Sequence, residues 1–365
     1  MEDDELYYTV ALTMIPEIGP VLARNLIAYA GGSKNVFTLP KGKLEKVPGI
    51  GPSIAERVAA FNDFKRVERQ LKYAGKNKVR ILRYHEAEYP QRLKRNHDAP
   101  LLLYFKGNTN LNTSRIVSLV GTRNCSEESL YFTDRFVEEL KLLDCLVVSG
   151  LAYGIDIRAH RAAVKHSIPT VAVVAHGLDS VYPSIHRKTV EEMYSNGGML
   201  TEYPIATRPD RENFPTRNRI VAGMSDATIL IESPFKGGAM ITAQLAHSYN
   251  RDVFAVPGMP GDPKIEGNHF LIKTNKAALI ESARDLMEYM NWKMGAGSTQ
   301  AQLPFELSNQ EKNLMNYFIQ KSIWHIDDLA IDARISSGNL SLTLLELEIK
   351  GLIRTLPGKR FQKIR

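Results

Sequence analysis

The sequence predicts an α/β fold built on a doubly wound parallel sheet, and three observations predict it. Two short apolar runs, Ile116–Val120 and Cys145–Val148, each end in a small or glycine-rich turn that opens a segment of helical spacing. Strands buried on both faces of a parallel sheet read as unbroken apolar runs of this kind. Four further strand-like runs follow, with helical segments between them, giving the alternation of a parallel sheet. Finally, Gly121-Thr122-Arg123 and Ser149-Gly150 with Gly154 fall at the carboxyl ends of the first two strands. That edge of such a sheet holds the ligand crevice. Backbone amides there, with the helix N-termini behind them, suit an anionic phosphate.

Taken in order, residues 5–75 read as helical, with two similar punctuations, Ile15-Pro16-Glu17-Ile18-Gly19-Pro20 and Val47-Pro48-Gly49-Ile50-Gly51-Pro52. Each is followed by an amphipathic stretch, Val21–Tyr29 and Ser53–Phe61. A glycine hairpin between two helices can grip a phosphate through its amides without reading sequence, which makes Gly49 and Gly51 a secondary candidate contact. The same glycines equally suit tight turns in a packing module. Strands are expected at 79–83 and 101–105, then at 116–120, 145–149, 170–175, 199–202, 227–232 and 253–256. Helices are expected at 127–143, 155–166, 186–196, 216–223, 239–249 and 268–275. The run MGAGSTQAQLP at 294–304 reads as a linker. Beyond it, helices at 309–320, 326–330 and 339–350 precede a hairpin of 352–356 and 360–364, which is the winged-helix order. The domain expectation is a helical module at 1–78, a core at 79–293, the linker, and a winged helix at 305–365.

Composition narrows the chemistry. The chain has 365 residues, too many for one ordinary domain, and is 44% apolar. No run of eighteen apolar residues occurs, and the acidic start MEDDELYY argues against a signal or transit peptide. Cys125 and Cys145 are the only cysteines, so neither a disulfide framework nor a cysteine zinc site is available. A cytoplasmic protein, without a membrane partner, is expected. The net charge of +7 permits a nucleic-acid partner. Residues 1–78 hold 12 basic and 9 acidic side chains, residues 79–304 hold 26 and 24, and residues 305–365 hold 9 and 7. No segment is a polybasic tail, so any DNA site must be assembled by folding.

The second strong cluster is Asn213-Phe214-Pro215-Thr216-Arg217-Asn218-Arg219. Arginine forks bind phosphate bidentately, and an exposed Phe offers a stacking face to an unpaired base. Phe214 could instead be a helix-start staple and the arginines a solvated face. Because Arg123, Ser149, Gly150 and the Lys236-Gly237-Gly238 turn are assigned to the same sheet rim, the functional reading is preferred. Neither GxGxxG nor GxxxxGK[ST] occurs, so a nucleotide cofactor is not expected. Nor is a metal, for want of a carboxylate-plus-histidine cluster. Asp156 and His160 read as a structural pair on one helix, and Glu202 and Asp226 as lone acids at strand ends.

Together these motifs resemble the DprA family, also called Smf, the bacterial DNA-processing proteins of natural transformation. The resemblance rests on Val120-Gly121-Thr122-Arg123, Ser149-Gly150-Leu151-Ala152, Gly154-Ile155-Asp156, Gly177-Leu178-Asp179 and Tyr182-Pro183. It continues through Glu202-Tyr203-Pro204, Asn213 to Arg219, Ala222-Gly223, Ile241-Thr242-Ala243, Val253 to Gly258 and Gly267-Asn268. It implies an extended Rossmann-like core, flanked by an N-terminal helix-hairpin-helix or SAM-like domain and a C-terminal winged-helix domain. It also implies sequence-independent binding of single-stranded DNA, homodimerisation through the core and delivery of the strand to the RecA recombinase, in competence and recombination. Carried over, the contacts are Arg123, Phe214, Arg217 and Arg219, with backbone from Gly121, Ser149 and Gly150. Thr122, Tyr153, Asn213, Asn218, Lys236, Gly237 and Gly238 complete the expected DNA-binding set.

Two positions depart from the family pattern. Tyr153 stands where a basic residue is usual, and Val174-Ala175-His176 replaces a glycine-rich turn, which would narrow the crevice or bring an imidazole into it. A competing reading is a nucleotide-processing hydrolase on a similar core. The corresponding run, Gly237 to Gln244, has shifted spacing, and Gln244 stands where a general-base carboxylate is needed. A third reading, a duplex-DNA regulator, conflicts with the acidic third helix of the winged-helix segment, NLSLTLLELEIK, which favours a protein-contact or packing role.

Overall fold

The computed structural model describes residues 4–292, 308–350 and 352–363. The expected linker, 294–304, lies outside the described residues. Residues up to Gly295 form one compact unit and those from Ala296 a second.

The first unit opens with α1 (Asp4–Thr13), α2 (Pro20–Ala30), α3 (Ser33–Val36), α4 (Lys41–Leu44), α5 (Pro52–Ala60) and α6 (Phe64–Lys76). The repeated punctuation has a common geometry. Gly19 and Gly51 precede α2 and α5 with nearly equal backbone angles (φ −74°, ψ 172° and φ −87°, ψ 173°), and each helix starts on a proline. Proline suits a first helical position, where its missing N–H would have no partner. The two turns close over one apolar cluster that includes Leu26, Leu44, Ala55 and Val58.

A nine-stranded sheet follows: β1 (Arg80–Arg83), β2 (Leu102–Gly107), β3 (Ile116–Val120), β4 (Leu146–Ser149), β5 (Thr170–Val173), β6 (Gly197–Thr201), β7 (Ala227–Leu230), β8 (Asp252–Ala255) and β9 (Ala278–Leu279). The strand order is β1-β2-β6-β5-β4-β3-β7-β8-β9. From β6 to β9 every pair is parallel, whereas β2 and β1 extend the sheet antiparallel. The connecting helices are α7 (Gln91–Lys94), α8 (Glu127–Leu140), α9 (Ile155–Lys165), α10 (Arg187–Met193), α11 (Asn213–Met224), α12 (Gly238–Ser248), α13 (Glu266–Lys273) and α14 (Ala283–Tyr289). α8, α9 and α14 cover one face through Phe136, Val137, Ala159 and Leu286. α11, α12 and α13 cover the other through Ile220, Val221, Ala243 and Leu271. This is the expected doubly wound arrangement.

Two boundaries differ from expectation for physical reasons. β6 begins at Gly197 rather than residue 199, because the glycine pair belongs to the strand. A Cβ on Gly197 would collide with the Thr170 carbonyl on β5, and one on Gly198 with the Lys106 carbonyl on β2. α11 begins at Asn213 rather than 216, since Pro215 falls in its first turn, where proline is tolerated.

The second unit contains α15 (Asn309–Gln320), β10 (Ile323–His325), α16 (Ile326–Ala333), α17 (Ser337–Ile349), β11 (Ile353–Leu356) and β12 (Arg360–Lys363). It has the winged-helix order, with one strand more than the sequence suggests. β10 pairs with β12 to make a three-stranded sheet, ordered β10-β12-β11.

One side chain ties the carboxyl ends of the central strands together. Asn268 is fully buried, donates to the carbonyls of Leu230, Ile231 and Val256 (2.9, 3.0 and 2.9 Å) and accepts from Ser233 N (3.0 Å). Asn268→Ala removes the side-chain partner of the Ile231 and Val256 carbonyls and of Ser233 N, while the Leu230 carbonyl keeps Val256 N, and lowers the unfolding free energy by about 3 kcal/mol, read as a lower urea midpoint.

Candidate nucleic-acid interface

Because β4 flanks β3 on one side and β7 on the other, the chain leaves β3 and β7 toward opposite faces of the sheet. A crevice opens at that reversal, beyond the carboxyl ends of the strands. It has a volume of about 320 Å³. One wall is Gly121, Thr122 and Arg123 after β3; the floor is Gly150, Ala152 and Asp156 after β4. The opposite wall is Phe214, Pro215, Arg217, Asn218 and Val221 of α11, and Gly237, Gly238 and Thr242 close the end at α12.

The helical start at Asn213 decides which members of the arginine cluster reach this space. Phe214, Arg217, Asn218 and Val221 are spaced i, i+3, i+4, i+7 and share one face. Arg219 is turned off that face. It is buried, it forms an ion pair with Glu202, and it does not line the crevice, which corrects its expected role as a phosphate contact. Burial pushes the Glu202 carboxyl up, and Arg219 counters it.

Arg217 lines the crevice but is committed elsewhere. It donates to the carbonyl of Gly150 (2.6 Å) and to that of Val173, and only 4% of its surface is exposed. Asp156 lies beside it. Burial pushes the Asp156 carboxyl up, while Arg217 and the Ala152 amide, which donates to it at 3.3 Å, pull it down. A Cβ on Gly150 would stand 2.6 Å from an Asp156 oxygen and collide with the Arg217 guanidinium, so glycine is needed there. The Ala152 amide of this loop is therefore already engaged by the protein's own carboxylate. Ser149, expected to offer its backbone, is not among the lining residues. Its hydroxyl is fully buried and donates to the Leu119 carbonyl at 2.6 Å, inside the sheet.

Arg123 is different. It is exposed, and its guanidinium carbon lies 5.5 Å from the centre of the Phe214 ring. Phe214 is half-buried, with the Tyr182 ring 6.2 Å away at 53°. Arg123 and Phe214, predicted separately from two distant stretches, thus share one wall-to-wall contact. Among the described lining residues Asp156 is the one carboxylate, and it faces Arg217 rather than Arg123.

The remaining candidates lie outside this lining. Asn213 donates to the carbonyls of Ala175 and Arg208 (both 3.3 Å) and so tethers the start of α11. Tyr153 is 48% exposed and sits edge-on to His186, ring centres 5.2 Å apart. Lys236 is exposed, one residue before the lining glycines. Gly49, with φ +84°, and Gly51 are exposed in the turn that packs on Leu22 and Asn25 of α2. His176 does not enter the crevice: it is buried, and its Nδ1 donates to the Gly177 carbonyl at 2.8 Å. Tyr182, which the sequence offers only within the Tyr182-Pro183 motif, is 46% exposed beside Phe214. Asp226 is structural, accepting from Arg92 Nε (2.6 Å) and Ile116 N (2.8 Å). Among the described residues no three His, Cys, Asp or Glu side chains converge as a metal site, and no helix is long and apolar enough to cross a membrane.

Residues 80–291 match the family described as DNA recombination-mediator protein A, and residues 298–359 match the DprA winged helix domain. The chain belongs to this family. It is 29% identical to protein Smf of Synechocystis across 100% of both chains. Its fold resembles the X-ray structure of DNA processing protein A from Streptococcus pneumoniae, with TM-score 0.66 and 29% identity over 79% of this chain and 98% of that one. It also resembles DNA processing protein A from Helicobacter pylori, whose structure describes a single-stranded DNA binding mode, with TM-score 0.52 and 27% identity over 59% of this chain and 96% of that one.

Two measurements follow from the buried polar groups. Arg217→Met removes the guanidinium donor to the Gly150 and Val173 carbonyls and destabilises the protein by about 2 kcal/mol or more, whereas Arg123→Ala leaves the unfolding midpoint in place. His160 is fully buried, and its Nδ1 donates to Thr170 Oγ1 (2.7 Å), which donates on to the Val147 carbonyl (3.1 Å). Burial pushes the imidazole down from 6.5 to about 3. The unfolded chain takes up a proton that the folded ring refuses, so His160's contribution is intact above pH 6.5 and is lost as pH falls from there toward 3. Urea unfolding at neutral and mildly acidic pH detects that loss, and His160→Gln reduces it.

Proposed function

We propose that this chain binds single-stranded DNA in the crevice without reading its sequence, as a non-enzymatic homodimer of the cytoplasm. In this reading it passes the strand to the RecA recombinase in recombination and transformation. The observation that carries the reading is the pairing of an exposed guanidinium with a half-exposed phenyl ring, Arg123 over Phe214, at the sheet's reversal point. The guanidinium can take a phosphate while the ring takes an unpaired base, and neither contact depends on base identity. A paired duplex presents no free base face to the ring.

A hydrolytic role is disfavoured by the lining chemistry. Asp156 is buried and accepts from the Ala152 amide, and Gln244 is exposed and outside the crevice. A duplex-reading role for the winged helix is disfavoured by α17, whose exposed positions include Leu342, Leu345 and Glu346 and no cation among the described residues. We assign that helix to protein contact. For the homodimer surface we favour residues 277–290, where Leu279 on the edge strand is 51% exposed and Tyr289 is 62% exposed.

Fluorescence anisotropy with labelled oligothymidine and a matched duplex, over a salt series, tests the reading. Wild-type protein prefers the single strand and weakens as salt rises, because each neutralised phosphate releases counterions. Arg123→Ala and Phe214→Ala each weaken binding about tenfold, the scale of one lost stacking or charge contact. Unchanged affinity in both variants removes the proposal.

A further inference from the structure

A second charged feature lies beside the crevice and has no role in the reading so far. α6 carries Lys65, Arg69, Lys72 and Lys76 at i, i+4, i+7 and i+11, a spacing that stacks four side chains in one narrow stripe. All four are exposed, while Val67, Gln70 and Ala74 bury the opposite side of the helix. Among the described residues none of the four has a carboxylate within ion-pair distance. One acid, Glu68, shares the exposed turns.

The helix that carries the stripe is docked by its other side on loops at the crevice end of the sheet. Gln70 Oε1 accepts from Ile205 N at 2.7 Å, and Tyr73 donates to the Leu178 carbonyl at 3.0 Å. Ile205 and Leu178 belong to the loops that leave β6 and β5 at the crevice end of the sheet. The first of these loops runs directly into Asn213 and Phe214, and exposes Arg208 and Arg211 on the way, interleaved with Asp210 and Glu212. The second leads to Tyr182, which is 46% exposed and borders the Phe214 ring. A chain of alternating phosphates and bases leaving Phe214 in that direction meets an aromatic face, then scattered guanidinium groups, then four unneutralised cations.

We propose that a single strand held in the crevice continues past Tyr182 and the 203–212 segment onto the cationic face of α6, which serves as a second phosphate-binding track. This rests on the single-strand reading above. The crevice would then hold the end-most few nucleotides, and the helix would set how much longer strands are favoured over short ones.

The test compares oligothymidines of about six and about twenty nucleotides, the shorter within the crevice alone and the longer able to reach α6. The combined variant Lys65→Gln, Arg69→Gln, Lys72→Gln and Lys76→Gln keeps helix propensity nearly constant. It should bind the short oligonucleotide as wild type does and the long one about tenfold more weakly. The magnitude of the log–log salt slope for the long one should fall by about 2 to 3, at roughly 0.7 per lost phosphate contact. The double variant Lys141→Glu with Lys165→Glu removes the same charge from the C-terminal ends of α8 and α9, at the opposite edge of the sheet. It should leave both affinities in place. The track is overturned if the α6 variant binds both lengths normally, if it loses both in equal proportion, or if the charge-matched control weakens the long oligonucleotide as much. Failure of the single-strand reading is a separate result: Arg123→Ala and Phe214→Ala would leave the short oligonucleotide's binding unchanged.

Discussion

The crevice depends on Arg217, whose guanidinium is held by the carbonyls of Gly150 and Val173 beneath the loop after β4. Three strands end beneath this point, and their last carbonyls and first loop amides would be poorly satisfied in a dry cleft. Arg217 takes up the carbonyls of Gly150 and Val173, while Asp156 accepts from the Ala152 amide. Burial acts against the charged form of both groups, and each lessens that effect on the other. With the floor closed by the protein itself, Arg123 is left facing outward with no competing carboxylate on the lining. One arginine thus serves the interior and another the surface.

Much of the fold was legible because its determinants are local and periodic. The apolar runs of the parallel strands stand out since both faces are buried, and the helices between them keep helical spacing. β10 was not legible: three residues, Ile323-Trp324-His325, between two helices carry no period. The start of β6 was hidden because glycine normally marks a turn, and only the crowding from β2 and β5 makes Gly197 and Gly198 strand residues. The site was half legible. Arg123 and Phe214 could be found as a cation after a strand end and an aromatic at a helix start. Arg219 could not be separated from Arg217 without knowing that the helix begins at 213, since two positions along a helix turn a side chain to another face. Ser149 likewise has the composition of a loop ligand but the location of a core hydroxyl.

The likeness to the family and the geometry support each other at different levels. Membership speaks to the chain as a whole, through the match of the core and of the winged helix. It does not distinguish among the arginines of one motif. The coordinates of Arg123, Arg217 and Arg219 do, because they place one in solvent beside a ring, one under a loop and one against Glu202.

The carboxylate supplied by Asp156 has a consequence for how fast a strand can be captured. A cradle of amides that waits for its anion tends to rearrange when that anion arrives, and the rearrangement slows association and taxes affinity. Here the Ala152 amide is already bonded to Asp156, so the loop is held before any strand arrives. Encounter then needs only desolvation of Arg123 and Phe214, a preorganised surface whose on-rate is governed by electrostatic steering rather than by loop folding.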